Sequence, residues 1–82
     1  MELDRIRRRW GELPLARAEE GMPALRRVLL ALASRSAPGA ELPDLGPAAA
    51  PDQLAVLVWD AYAAGGGDGI PDQLTDLRRT LG

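Results

Sequence analysis

The 82-residue chain contains no cysteine, histidine, lysine, asparagine or phenylalanine. Each gap removes a class of chemistry. Without Cys no disulfide supports the core, and nothing suggests a secreted, oxidised scaffold. Without Cys and His the usual zinc, copper and iron–sulfur ligand sets cannot be assembled. The same gap rules out a Ser–His or Cys–His nucleophile–base pair within one chain. Without Lys there is no Schiff base and no phosphate-loop lysine. What remains is carboxylates, Ser34, Ser36, Thr75, Thr80 and Tyr62. The expectation is a protein with no metal, no cofactor and no small-molecule substrate, and not an enzyme. A carboxylate-based hydrolase is the one catalytic reading that survives, with Asp60 as its raised-pKa acid. The spacing places no second carboxylate with it.

Long apolar runs are also missing. The longest, Val28–Ala33 and Leu54–Trp59, are six residues each, whereas a bilayer span needs roughly 20. The opening MELDRIRRRW carries charge with no apolar segment behind it and does not read as a signal peptide. The expected location is the cytoplasm. All ten basic residues are Arg, and the composition leans on Ala, Leu, Gly and Pro. Apart from Leu these residues have GC-rich codons, which points to a bacterial genome of high GC content.

A chain of this length holds one domain, spanning residues 1–82, that buries only about 60% of the surface of its unfolded form. Its net charge of −2 is uneven. Residues 1–36 carry eight Arg against five acids (+3), and residues 37–82 two Arg against seven acids (−5). Such a balance is not the footprint of a nucleic-acid-binding domain.

Outside the Ser34–Ala50 stretch, which breaks all periodicity, the apolar spacing is helical, so the fold class is all-α: a small four-helix bundle. Leu3, Ile6, Trp10 and Leu13 set a helix over 2–12, ended near Gly11 and the Leu13-Pro14 step. Leu15–Glu20 reads as at most one further turn, stopped by Gly21. Pro23 suits a first helical position, and Met22, Leu25, Leu29 and Leu32, with Val28 beside them, predict a second helix over 23–35. Residues 36–50 form a long Pro/Gly-rich loop that Leu42 and Leu45 pin to the core. A third helix covers 51–64, with Leu54, Leu57, Val58, Ala61 and Tyr62 on one face and Ala55 and Trp59 widening it. Being apolar around most of its circumference, it is the expected central helix. A fourth covers 71–81, with Ile70, Leu74, Leu77 and Leu81 inward. Short links after the first and third helices predict that the helices they join pack antiparallel.

The string PDQL occurs at residues 51–54 and again at 71–74. In each copy Pro opens a helix, Asp meets its positive dipole end, Gln can reach back to free amides, and Leu is the first core contact. Beyond it only Leu57 and Leu77 correspond, so the repeat reads as a helix-start signal rather than a duplicated unit.

Three other stretches invite functional readings. RIRRRW could be a phosphate-binding strip, with Trp10 stacking on a base or partner. Against this, Glu2–Arg5, Asp4–Arg8, Arg8–Glu12 and Arg9–Glu12 are helical neighbours of opposite charge, and Trp10 continues the Leu3/Ile6 stripe. GGGDG lacks the lysine of a phosphate loop and the acid spacing of a calcium loop, which leaves a flexible helix stop. Asp60, if buried, would need Arg78 or an Arg of the first helix as partner. The remaining feature is a surplus of apolar residues, which either the long loop covers or a partner does. The function expected is therefore a non-catalytic protein–protein interaction module, a small bacterial cytoplasmic adaptor or regulator that binds another protein or itself. Its contacts would be Leu42, Leu45, Trp59 and Tyr62, with Arg5, Arg8 and Arg9 as rim charges. The alternative is nucleic-acid binding through the Arg-rich first helix.

Overall fold

A computed structural model describes residues 2–39 and 41–81. Among these residues are four α-helices and no strand: α1 (Glu2–Glu12), α2 (Leu15–Ser36), α3 (Ala50–Ala63) and α4 (Ile70–Leu81). The all-α bundle read from the apolar spacing is the fold observed. Its Cα envelope measures 34 × 25 × 16 Å, which is two helices thick, since packed axes lie roughly 8–10 Å apart.

The largest departure from expectation is α2. It runs unbroken for 22 residues, through both Gly21 and Pro23. An interior proline lacks the amide that would bond back to residue 19, at a cost of about 3 kcal/mol. Packing offsets this on both sides of the proline. Ala18 is buried before it, and Leu25, Leu29 and Leu32 are buried after it. Gly21 is a close-approach residue rather than a stop. A Cβ there would lie 2.8 Å from Leu81 Cδ2 and 3.2 Å from the Trp10 ring. The ends of α1 and α4 both rest on this one bare turn of α2.

The packing order also differs from the order along the chain. α2 packs along α3 and α4, and α1 packs on α4 and more lightly on α3. The helices joined by short links, α1 with α2 and α3 with α4, do not pack along each other, α1 meeting α2 through Trp10 at Gly21, so the antiparallel neighbours expected there do not form. The Leu13-Pro14 link is extended (Pro14 ψ 152°) and sends α2 onward instead of back. The antiparallel pair is α2 with α4: Gly21 lies against Leu81 at one end, and Arg35 bonds Gln73 at the other. α2 and α3 advance in the same general direction. Arg26 and Gln53 both reach the Pro43 carbonyl early in the two helices, and Arg35 reaches Gly66 just past the end of α3. Residues 37–49 are the crossing connection that this arrangement requires.

Helix boundaries follow local chemistry. α3 ends in a Schellman motif: Gly66 N–H donates to the Ala61 carbonyl at 2.8 Å and Gly65 N–H to that of Tyr62 at 3.0 Å. Gly65 adopts φ +80°, open to a residue without Cβ. Both PDQL copies begin their helices alike. Gln53 N–H bonds the Ala49 carbonyl and Gln73 N–H the Gly69 carbonyl, each at 3.0 Å, and Leu54 and Leu74 are buried. The glutamine side chains do not reach back as expected. Gln53 Nε2 donates to the Pro43 carbonyl (2.9 Å), and Gln73 Oε1 accepts from Arg35 (3.4 Å).

A candidate interaction surface on the third helix

The core takes one stripe from each helix: Leu3, Ile6 and Trp10; Leu25, Leu29 and Leu32; Leu54, Val58 and Ala61; Leu74, Leu77 and Leu81. Among the described residues no polar or charged residue is buried. The third helix is not central: it packs on α2, lightly on α1 and hardly on α4. Its inner stripe meets α2, while its outer face carries Val56 (55% exposed) and Trp59 (71% exposed), with Tyr62 also exposed.

The long connection lies beside the first half of α3, held through its backbone. Arg26 Nη2 donates to the Leu42 carbonyl at 2.9 Å and Gln53 Nε2 to the Pro43 carbonyl at 2.9 Å. Trp10 Nε1 donates to the Pro47 carbonyl at 2.8 Å. Asp44 accepts the Gly46 amide at 3.2 Å, closing a local turn. Held this way, the connection turns Leu42 inward onto the core and leaves Leu45 58% exposed. Leu45 thus does not pin the loop as expected; main-chain carbonyls do. Between loop and helix opens a groove of about 380 Å³ lined by Leu42, Pro43, Leu45, Val56 and Leu57, with Asp52 at its edge. The surface lining it is almost wholly apolar. Trp59 stands one helical turn beyond Val56, and i, i+3 neighbours share a face.

The proposed contacts are therefore gathered only in part. Leu42 and Leu45 meet at the groove, and Trp59 extends it. Tyr62 leans toward the next loop, where a Cβ on Gly67 would lie 2.5 Å from its ring. Val56 was missed by the sequence reading, although it sits opposite the Leu54/Val58/Ala61 stripe, where a polar residue is expected. Leu15, exposed beside a second groove of about 340 Å³ near Pro47 and Pro51, was missed too. The two grooves abut along residues 47–52.

The α1 arginines are distributed differently from expectation. Arg5 does pair with Glu2 (3.2 Å), but Asp4–Arg8, Arg8–Glu12 and Arg9–Glu12 are not among the ion pairs of the described residues. Exposed pairs of that kind are worth only about 0.3–0.5 kcal/mol, and partners on other helices compete. Arg78 Nε donates to Glu2 Oε2 at 2.7 Å, tying α4 to α1, and Arg7 Nη2 meets Asp52 Oδ1 at 3.3 Å, tying α3 to α1. The Glu2 carboxyl is held below its ordinary value chiefly by the Arg78 hydrogen bond, with Thr75 adding to it and Arg5 a smaller charge effect. Arg8 is exposed, and Arg9 is half-buried with its Nε atom lacking a hydrogen-bond partner. The arginine at the groove is thus Arg7, not Arg5, Arg8 or Arg9. Trp10, only 5% exposed, is a core residue and cannot stack on a base or partner. Asp60 is exposed, and Arg78, its suggested partner, is on Glu2.

The GGGDG segment is a built stop. Arg35 Nη1 donates to the carbonyls of Gly66 and Asp68, both at 2.6 Å. No helix among the described residues is long and apolar enough to cross a membrane. No protein-family model, no curated protein and no solved structure matches this chain.

Proposed function

We propose that this protein is a non-catalytic interaction module, a small bacterial cytoplasmic adaptor or regulator that binds a protein partner through the groove and outer face of α3. The observation that supports this most directly is the uncovered band Leu45–Val56–Trp59. The connection that could have shielded it is held to one side. Monomeric proteins seldom leave large apolar side chains contiguous without a use for them, and Trp is enriched at the centres of binding sites. Covering a largely exposed Trp is worth roughly 3–4 kcal/mol before the costs of association. The residue types available favour binding over catalysis in the same direction.

The test uses the intact chain and a Val56→Ser/Trp59→Ser double variant as parallel baits in lysate of the source organism, with solution mass followed by light scattering. A defined partner, or a concentration-dependent dimer, that the double variant loses supports the reading. A strict monomer whose retained proteins are the same for both baits overturns it.

A further inference from the structure

The charge around the groove says what kind of protein segment fits it. No basic side chain occurs anywhere from Ser36 to Leu77. Glu41 and Asp44 flank Leu42 and Leu45 along the loop, Asp52 lines the groove, and Asp60 lies one turn beyond Val56; all four are exposed. The two arginines that reach this side from elsewhere are engaged. Arg7 is on Asp52, and Arg26 is on the carbonyls of Leu42 and Pro43. Glu41, Asp44 and Asp60 have no ion-pair partner among the described residues. An apolar floor with an uncompensated acidic rim selects, by charge complementarity, a segment with apolar anchors flanked by positive charge.

We infer that the α3 groove docks a basic amphipathic helix, with Leu-like anchors at helical spacing entering beside Leu45, Val56 and Trp59 and Arg or Lys side chains meeting Glu41, Asp44 and Asp60. α3 has 14 residues, so it offers a partner helix roughly 21 Å of length, about four turns. This rests on the reading of the band as a protein-contact surface and narrows it. A second copy of the chain is a poor occupant: its basic helix, α1, has its apolar stripe Leu3, Ile6 and Trp10 already buried. An anionic membrane surface would be repelled by the same rim.

Two fluorescently labelled 18-residue peptides of one Leu/Ala pattern test it, one with Arg and the other with Glu on the polar face, titrated with the full chain by anisotropy. The Arg peptide is expected to bind at least tenfold tighter than the Glu peptide, and several-fold more weakly at high salt. Asp44→Asn/Asp60→Asn should weaken it several-fold, and Trp59→Ser should remove most of the binding. Equal or tighter binding of the Glu peptide overturns the charge inference, and so does an Arg peptide held equally well by the Trp59→Ser protein. A dimer that excludes the Arg peptide would place a second copy in the groove and overturn it as well. If neither peptide binds, this inference falls alone, because the lysate comparison tests the broader contact reading by a separate route.

Discussion

The two tryptophans of this chain have opposite fates. Trp10 is 5% exposed, donates its indole N–H to Pro47 and packs on the bare turn at Gly21, whereas Trp59 is 71% exposed. Their own chemistry is identical, so the difference lies in their helices. α1 has a single narrow stripe of three buried residues, and Trp10 is its third member. α3 is apolar on nearly every side, and the bundle fully buries only the arc of Ala50, Leu54, Val58 and Ala61. A surplus of apolar residues on one helix therefore goes to the surface, while a scarcity on another is spent wholly in the core. Burial here is decided by the room that neighbouring helices leave, not by hydrophobicity alone.

Truncation is the strongest way to break this comparison. Trp10→Ala should cost about 3–5 kcal/mol, as large-to-small changes in a core do. Much of a small domain's total stability would go with it. Trp59→Ala should stay within about 0.5 kcal/mol of the parent. Urea unfolding followed by far-UV circular dichroism separates the two, and losses of similar size would show that Trp59 is buried in solution. A smaller effect is expected at the surface on which Trp10 rests. Gly21→Leu forces the Trp10 ring and Leu81 away from α2, at a cost of about 1–3 kcal/mol; an unchanged urea midpoint would mean that the turn is not closely packed.

The smallest expected effect concerns the ion pair at the other end of α1. The Glu2 carboxyl is held below its ordinary value of 4.5 by Arg78 first of all. A group depressed in the folded state contributes stability that is fully present above its unfolded value and is lost as pH falls through the folded one. Glu2→Gln should therefore lower the melting temperature slightly at neutral pH. The gap from the parent should close in acid below the carboxylate range. A gap that persists unchanged across that range would place the effect elsewhere.

Much of this architecture was legible in the sequence, and for identifiable reasons. α1 and α4 read correctly because their apolar residues are few and strictly periodic, with charged or polar residues filling most of the remaining positions. α2 was cut short because Gly21 and Pro23 obey local rules of helix ending that distant residues, Trp10 and Leu81, override. Which helices pack together was not legible: short links suggest neighbours, and only the extended Pro14 backbone shows that the chain departs instead of returning. At the candidate surface, Trp59 and Leu45 stood out as surplus. Val56 was hidden in an apolar run whose inner and outer faces composition cannot distinguish. Arg7 was one of four similar arginines, and only the approach of Asp52 from α3 singles it out.

One side chain ties together the far end of the molecule. Arg35, on the last turn of α2, donates to the carbonyls of Gly66 and Asp68 and to the side chain of Gln73 at the start of α4. Its acceptors are two main-chain carbonyls and an amide oxygen, none of them ionisable, so acid finds no acceptor to protonate here as it does in the Glu2–Arg78 contact. The two fastenings thus differ in chemical permanence: one has an ionisable acceptor, and the other has none.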